Sequence, residues 1–292
     1  MYRLRMKLIE LIVVFSLLLP LSGSLKLVDL SYELDSGSVT WPNNPKFNMT
    51  VLHRGEFSNA WFENNRLNFA EHTGTHIDAP THLAHRDGQW NLDQIPIERL
   101  GGPGVIIDVK SKAEADSDYR VTVDDLKAWE ARNGRIPYGA VVLMNSGWQK
   151  YYPDYNAVFK TDNISDSSTY HFPSWHEDAV DWLISNRVVY YVGVDTPSTD
   201  YGQSQTYPVH LLLSKENIIG LESVANLDRI PEVGTTIYVP VMKVRDGSGG
   251  PARMFATLPD DDDKDEANKA GMIFVSPMIL LCLSMLIAAL NF

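Results

Sequence analysis

His72-Thr73-Gly74-Thr75-His76-Ile77-Asp78-Ala79-Pro80-Thr81-His82 is the stretch on which the rest of the chain is read. It sets three imidazoles and a carboxylate within eleven residues. Neutral imidazole and carboxylate oxygen are the donor set of Zn²⁺ and Mn²⁺. Gly74, the β-branched threonines and Pro80 disfavour a helix, so this is not a helical pair of metal-binding histidines. In an extended segment, residues at even separations face one side. His72, His76 and Asp78 are therefore expected on one side, as is His82 if the strand continues, and Pro80 predicts a turn that brings His82 in from another angle. Gly74 lets the backbone pass close to a metal or to a second segment. Three protein ligands with an open coordination position would mark a catalytic rather than a structural site.

Working outward, apolar and β-branched runs predict buried strands at 105–109, 141–144, 188–194 and 218–221. A further run at 236–244 is interrupted by Pro240, which predicts a bend or an edge, and 254–257 closes the set. Thr122-Val123-Asp124-Asp125 reads as the capped start of a helix ending at Gly134. Ser174-Trp175-His176-Glu177 reads as a second cap before Ala179, Val180, Trp182, Leu183 and Ile184, and 209–213 as a shorter helix. Intermixed strands and helices give a mixed α/β class. No repeat, GxGxxG or P-loop pattern occurs, which argues against those nucleotide-binding enzymes.

The chain is 292 residues long, 44% hydrophobic, 21% charged, and carries a net charge of −12. That acidity disfavours nucleic-acid binding, which needs clustered Lys and Arg. The single cysteine, Cys282, excludes an intramolecular disulfide framework. Residues 1–24 combine Arg3, Arg5 and Lys7, a short apolar run and a small-residue exit, and are expected to be a secretory signal peptide. Residues 259–270 form an acidic spacer, and 271–292 an uncharged apolar tail with no Lys or Arg after it. This layout is that of a GPI-attachment signal, with a transmembrane tail as the alternative. Asn48-Met49-Thr50 and Asn163-Ile164-Ser165 are N-glycosylation sequons. Together these predict a secreted, membrane-anchored glycoprotein at the cell surface, with one folded domain over 25–258.

The central stretch resembles the H-x-G-T-H-x-D-x-P-x-H motif of the cyclase family, which includes bacterial-type kynurenine formamidases and isatin hydrolases, with some plant secreted cyclase-like proteins similar. The resemblance extends from Leu27 to Ala256 through Asp29-Leu30-Ser31, Trp41-Pro42 and Phe172-Pro173-Ser174. It continues through Gly193-Val194-Asp195 with Ser198 and Asp200, Pro208-Val209-His210, Glu222, and Gly249, Pro251 and Arg253. It implies a single domain of the swivelling β/β/α type and a site for one or two ions, Zn²⁺ or Mn²⁺. On this resemblance His72, His76 and Asp78 hold one ion, and Asp78, His210 and Glu222 complete or bridge to a second. His82 takes the role of catalytic acid/base, and Trp41 that of the aromatic beside the substrate. Asp195 is expected to orient a ligand from behind. His85 lies outside the motif and is expected at the surface, and His53, His171 and His176 show no ligand spacing.

The resemblance implies a metal-dependent hydrolase of small amides. The leading expectation is an arylformamidase of tryptophan catabolism, converting N-formylkynurenine to kynurenine and formate. An isatin hydrolase-like enzyme acting on lactams or lactones is the alternative, and a non-catalytic binding or adhesive surface protein is the rival from another class. The expected partners are a small aromatic amide or lactam, a membrane through the tail or a lipid anchor, and a second copy in a homodimer or higher homo-oligomer.

Overall fold

The β-branched runs form the centre of a nine-stranded sheet. The structure is a computed structural model that describes residues 26–83 and 87–258. Its strands are β1 (Leu27–Asp29), β2 (Asn48–Phe57), β3 (Ala60–Asn68), β4 (His76–Asp78), β5 (Gly101–Asp108), β6 (Arg120–Val121) and β7 (Ala140–Asn145). There follow β8 (Ser174–Trp175), β9 (Val189–Val194), β10 (Ile219–Glu222), β11 (Thr236–Tyr238), β12 (Gly249–Pro251) and β13 (Phe255–Thr257). The helices are α1 (Lys110–Ala115), α2 (Val123–Asn133), α3 (Tyr155–Phe159), α4 (Glu177–Asn186) and α5 (Pro208–Lys215).

Sheet order is β1-β13-β11-β5-β7-β9-β10-β4-β12. Strands β5, β7, β9 and β10 run parallel, and β4 pairs antiparallel with both β10 and β12. Parallel strands are covered on both faces, so they read as continuous apolar runs. Accordingly Val105, Ile107, Val142, Met144, Val192 and Val194 pack with Leu126 and Trp129 of α2, Val180 and Leu183 of α4 and Leu213 of α5. The alternate residues Ile106, Leu143 and Tyr191 pack on the other face with Val28, Ile237 and Ala256 of the antiparallel strands. The protein is a mixed α/β domain around one large sheet.

Thr122 caps α2 as expected: its Oγ1 accepts from the Asp125 N–H while the Asp125 carboxylate accepts from the Thr122 N–H. The cap of α4 differs. Ser174 and Trp175 form β8 against β6, and His176 caps the helix, its Nδ1 accepting from the Asp178 N–H. Trp175 is fully buried and its indole N–H donates to the Gly193 carbonyl, so burial of the indole holds this segment extended. Pro240 ends the expected 236–244 strand, since β11 stops at Tyr238 and Val241 makes only an isolated bridge to Ala252.

Strands β2 and β3 form a hairpin outside the main sheet that was not apparent in the sequence. Its turn residues Ser58 and Asn59 both have positive φ, 51° and 66°, as type I′ turns require.

No helix among the described residues is long and apolar enough to cross a membrane. The expected signal peptide (1–24), spacer (259–270) and tail (271–292), together with Cys282 and His85, lie outside the described residues. Asn48 and Asn163 are exposed.

Candidate metal centre

Strand β4 places the first two donors. His76 and Asp78 are two residues apart on one face, and Glu222 of β10 lies directly across from His76. Asp78 sits between two glycines, Gly220 of β10 and Gly249 of β12. A Cβ on Gly220 would lie 3.2 Å from Asp78 Oδ2, and one on Gly249 would lie 2.4 Å from His72 Cε1. The absence of side chains at these two positions makes room for the carboxylate and for the neighbouring imidazole.

The single continuous strand expected from His72 to Asp78 is interrupted. Gly74 takes a left-handed φ of 63°, and its N–H donates to the Val39 carbonyl at 2.7 Å. The strand rule therefore holds for His76 and Asp78 only, and His72 reaches the cluster from the turn. Pro80 does turn the chain, and the His82 N–H donates to the Ala79 carbonyl. Helix α5 delivers His210. The Asp200 carboxylate accepts from the Val209 and His210 N–H groups at the start of α5 and lies 2.6 Å from His210 Nδ1.

The donor atoms converge. His76 Nε2 is 3.4 Å from both Asp78 Oδ1 and Glu222 Oε2. His210 Nε2 is 3.3 Å from both Asp78 Oδ2 and Glu222 Oε1. His72 Nδ1 is 2.6 Å from Asp78 Oδ1, and the His82 ring centroid is 3.9 Å from that of His72. Two sets have donor atoms within 4.8 Å of one another: His72, Asp78 and His82, and His76, Asp78 and Glu222. This partition differs from the expected one, because His76 groups with Glu222 and His82 groups with His72. Asp78 is common to both sets.

The residues fit a divalent cation. His76 Nε2 and Asp78 Oδ2 are buried and have no hydrogen-bond partner, although both point into a ring of donor atoms. Buried polar atoms are otherwise almost always paired. Electrostatics agree. Burial opposes charge on His76, yet Asp78 and Glu222 raise its pKa to about 10. Burial likewise opposes charge on His210, and Asp200, Asp78 and Glu222 raise it well above the usual histidine value. Burial pushes Asp78 up, but the surrounding histidines, with hydrogen bonds from His210 and His72 among them, hold it well below the usual carboxylate range. The two carboxylates thus favour positive charge beside them, either a proton on His76 and His210 or a cation that displaces it. Burial moves His82 the other way, down to about 4, so its imidazole stays neutral.

A cavity of about 230 Å³ opens over this cluster, lined by His72, His76, His82, His210 and Glu222 with Trp41, Asn44, Ser198 and Tyr207. Trp41 is a wall residue, held edge-on by Phe159 and Tyr170. Asp195 corrects an expectation. Its buried carboxylate accepts from the Ser146 N–H, the Ser146 hydroxyl and the Trp148 N–H, so it braces the strand ends and orients no candidate ligand. Asp200 meets that geometric requirement, at His210 Nδ1. Its spacing ten residues before His210 gave no local signal, because a loop carries it back.

Residues 28–201 match the family model described as "Putative cyclase". The isatin hydrolase of Roseibium aggregatum is 33% identical over 74% of this chain and 83% of its own length. The kynurenine formamidase of Salinibacter ruber is 26% identical over 81% of this chain and 99% of its own. A crystal structure of an isatin hydrolase bound to the product analogue thioisatinate superposes with a TM-score of 0.74 at 32% identity, covering 82% of this chain and 94% of that one.

These relatives, an isatin hydrolase and a kynurenine formamidase, correct the cell-surface reading. They support a cyclase-family hydrolase. The secreted, GPI-anchored or membrane-held glycoprotein is withdrawn, and the adhesive surface alternative loses its motive with it. The apolar ends that suggested it are the segments outside the described residues, and exposure alone does not make Asn48 or Asn163 a glycan site.

Proposed function

The chain belongs to the cyclase family of metal-dependent hydrolases, and on that premise we propose that it opens the ring amide of a small aromatic lactam of the isatin type. The order of the two expected substrates is reversed because the isatin hydrolase is 33% identical and the kynurenine formamidase 26%. The observation that carries the reading is the cavity of about 230 Å³, lined by Trp41 and by the imidazole–carboxylate cluster. That volume is below the roughly 300–1,000 Å³ of drug-sized pockets and suits one fused aromatic ring system.

Zn²⁺ or Mn²⁺, one or two ions, fits the donors, and when bound it polarises a carbonyl and activates water. His72, His76, Asp78, His210 and Glu222 are the residues we assign to hold it. The Gly74 carbonyl at 2.9 Å from His76 Nδ1, and Asp200 at His210 Nδ1, keep both Nε2 atoms turned inward. His82, neutral through burial, accepts the proton that attacking water gives up and delivers it to the ring nitrogen as the C–N bond breaks. Trp41 stacks on the aromatic portion of the substrate. A second copy of the chain covers the β2–β3 hairpin, whose Phe57 and Trp61 are each 62% exposed.

The test is hydrolysis of isatin and of N-formylkynurenine by the purified chain, stripped of metal by a chelator and reloaded with Zn²⁺ or Mn²⁺. Isatin turnover that is lost on stripping and restored on reloading is expected. A clear preference for N-formylkynurenine would reverse the substrate order, and activity indifferent to the chelator would remove the metal from the reaction.

A further inference from the structure

Of the three histidines whose ring nitrogens both have a placed neighbour, His72 is oriented differently. His76 and His210 present Nε2 to the cluster and back Nδ1 against a carbonyl and a carboxylate respectively. His72 presents Nδ1, 2.6 Å from Asp78 Oδ1, and turns Nε2 outward to Ser248 Oγ at 3.2 Å. Ser248 in turn donates its hydroxyl to Glu71 Oε2 at 2.6 Å and its N–H to the same oxygen at 3.2 Å.

Proton counting fixes the direction of this chain. A carboxylate only accepts, so the one hydroxyl proton of Ser248 is committed to Glu71. A lone pair of Ser248 Oγ then faces His72, and His72 Nε2 must carry the hydrogen. Asp78 likewise only accepts, so Nδ1 becomes bare and aimed at the cation site once a cation takes the place of the hydrogen between Nδ1 and Asp78 Oδ1.

The surrounding backbone supports the arrangement. The Ser248 carbonyl accepts from the Ala79 N–H, one residue beyond Asp78, at 2.9 Å. Glycines flank Ser248: a Cβ on Gly247 would lie 3.1 Å from Glu71 Oε1, and one on Gly249 2.4 Å from the His72 ring. The 247–249 segment therefore closes against both side chains and leaves little room for either to turn.

We propose that Glu71 and Ser248 are positioning residues that fix the tautomer and ring plane of His72, so that its Nδ1 is the metal-binding atom and the affinity of the site depends on Glu71 at one remove. The inference rests on the metal-binding reading of this cluster. Partners behind a metal-binding histidine typically carry about 10–100-fold in affinity.

The experiment measures Zn²⁺ dissociation constants of the full chain by competition with a chromophoric chelator, for wild type, Ser248→Ala, Ser248→Thr and Glu71→Gln. Thermal unfolding of each metal-free variant checks folding. Ser248→Ala is expected to weaken binding about 10–100-fold, Ser248→Thr to retain most of it, and Glu71→Gln to fall between. Nitrogen-15 correlation spectra of the Zn²⁺-loaded chain are expected to show His72 protonated at Nε2. Wild-type affinity in Ser248→Ala, or His72 protonated at Nδ1 in the loaded chain, overturns the inference while leaving the metal site intact. Failure of the wild-type chain to bind Zn²⁺ or Mn²⁺ overturns the metal reading itself, and this inference with it.

Discussion

The β4 segment and the β2–β3 hairpin meet the same demand, an extended chain needing cover, in opposite ways. All three residues of β4 are buried, two of them are polar, and glycines on β10 and β12 are cut back to admit Asp78 and His72. The hairpin strands, ten and nine residues long, pair only with each other among the described residues and expose Met49, Val51, Leu52, Phe57, Trp61 and Leu67. In β4 the unsatisfied groups are polar and inside, which implies a cation. In the hairpin they are apolar and outside, which implies a covering surface, since an isolated two-stranded ribbon is marginal in water. The two regions should therefore fail differently: damage at β4 should remove chemistry and leave assembly, and damage at the hairpin the reverse.

The largest effect should come from Asp78, the one side chain common to both donor sets. Asp78→Asn is expected to abolish turnover and to lower bound metal to background, read by elemental analysis of the dialysed chain. Retained stoichiometric metal would separate the carboxylate from the ion and weaken the contrast at its root. Next, His82→Ala should lower kcat by about 10²–10⁴-fold, the usual share of a general acid–base, with metal content nearly unchanged. Loss of metal in step with activity would instead assign His82 to the ligand shell, where its proximity to His72 and Asp78 also allows it to sit.

These two predictions mark what was legible in the sequence. His72, His76, Asp78 and His82 lie within one short stretch of distinctive residues, so ligand type and spacing exposed them together. His210 and Glu222 came only through the family resemblance, since a helix and a distant strand bring them in. Asp195 was misjudged and Asp200 underused for one reason: both follow β9, and only the loop path decides which carboxylate turns back onto α5. The central strands were legible because burial on both faces leaves unbroken apolar runs. The hairpin was not, because its apolar residues fall on both faces and a register shift between Val51 and His53 breaks the alternation.

A smaller effect tests the framing of the site without touching a donor. Gly249→Ala would place a methyl group 2.4 Å from His72 Cε1 and 2.5 Å from the Ile77 carbonyl oxygen. Overpacking of this kind costs about 1–3 kcal/mol, measurable as a lowered urea midpoint. The strain falls partly on the His72 ring, so Zn²⁺ affinity should fall as well. A drop in stability with unchanged affinity would show that the ring can shift without loss of function, and that β12 supports β4 without shaping it.

The hairpin should show the smallest effect on stability and the clearest effect on mass. Phe57 immediately precedes the Ser58–Asn59 turn, Trp61 follows it after Ala60, and both are mostly exposed, so serine at both removes little that the single chain buries. Surface changes of this sort usually stay within about 0.5 kcal/mol. If a second copy covers the hairpin, aromatic side chains at its tip are expected to dominate the contact. Light scattering after size-exclusion chromatography should then read a dimeric mass for the wild-type chain and a monomeric mass for the double variant. Metal content should stay the same in both, because the cluster draws its donors from the β4 motif, β10 and α5. A wild-type chain that runs as a monomer would mean that the hairpin finds cover in some other surface. Loss of bound metal on breaking the dimer would couple the two regions, since Asn48–Asn68 leads into the motif only four residues before His72.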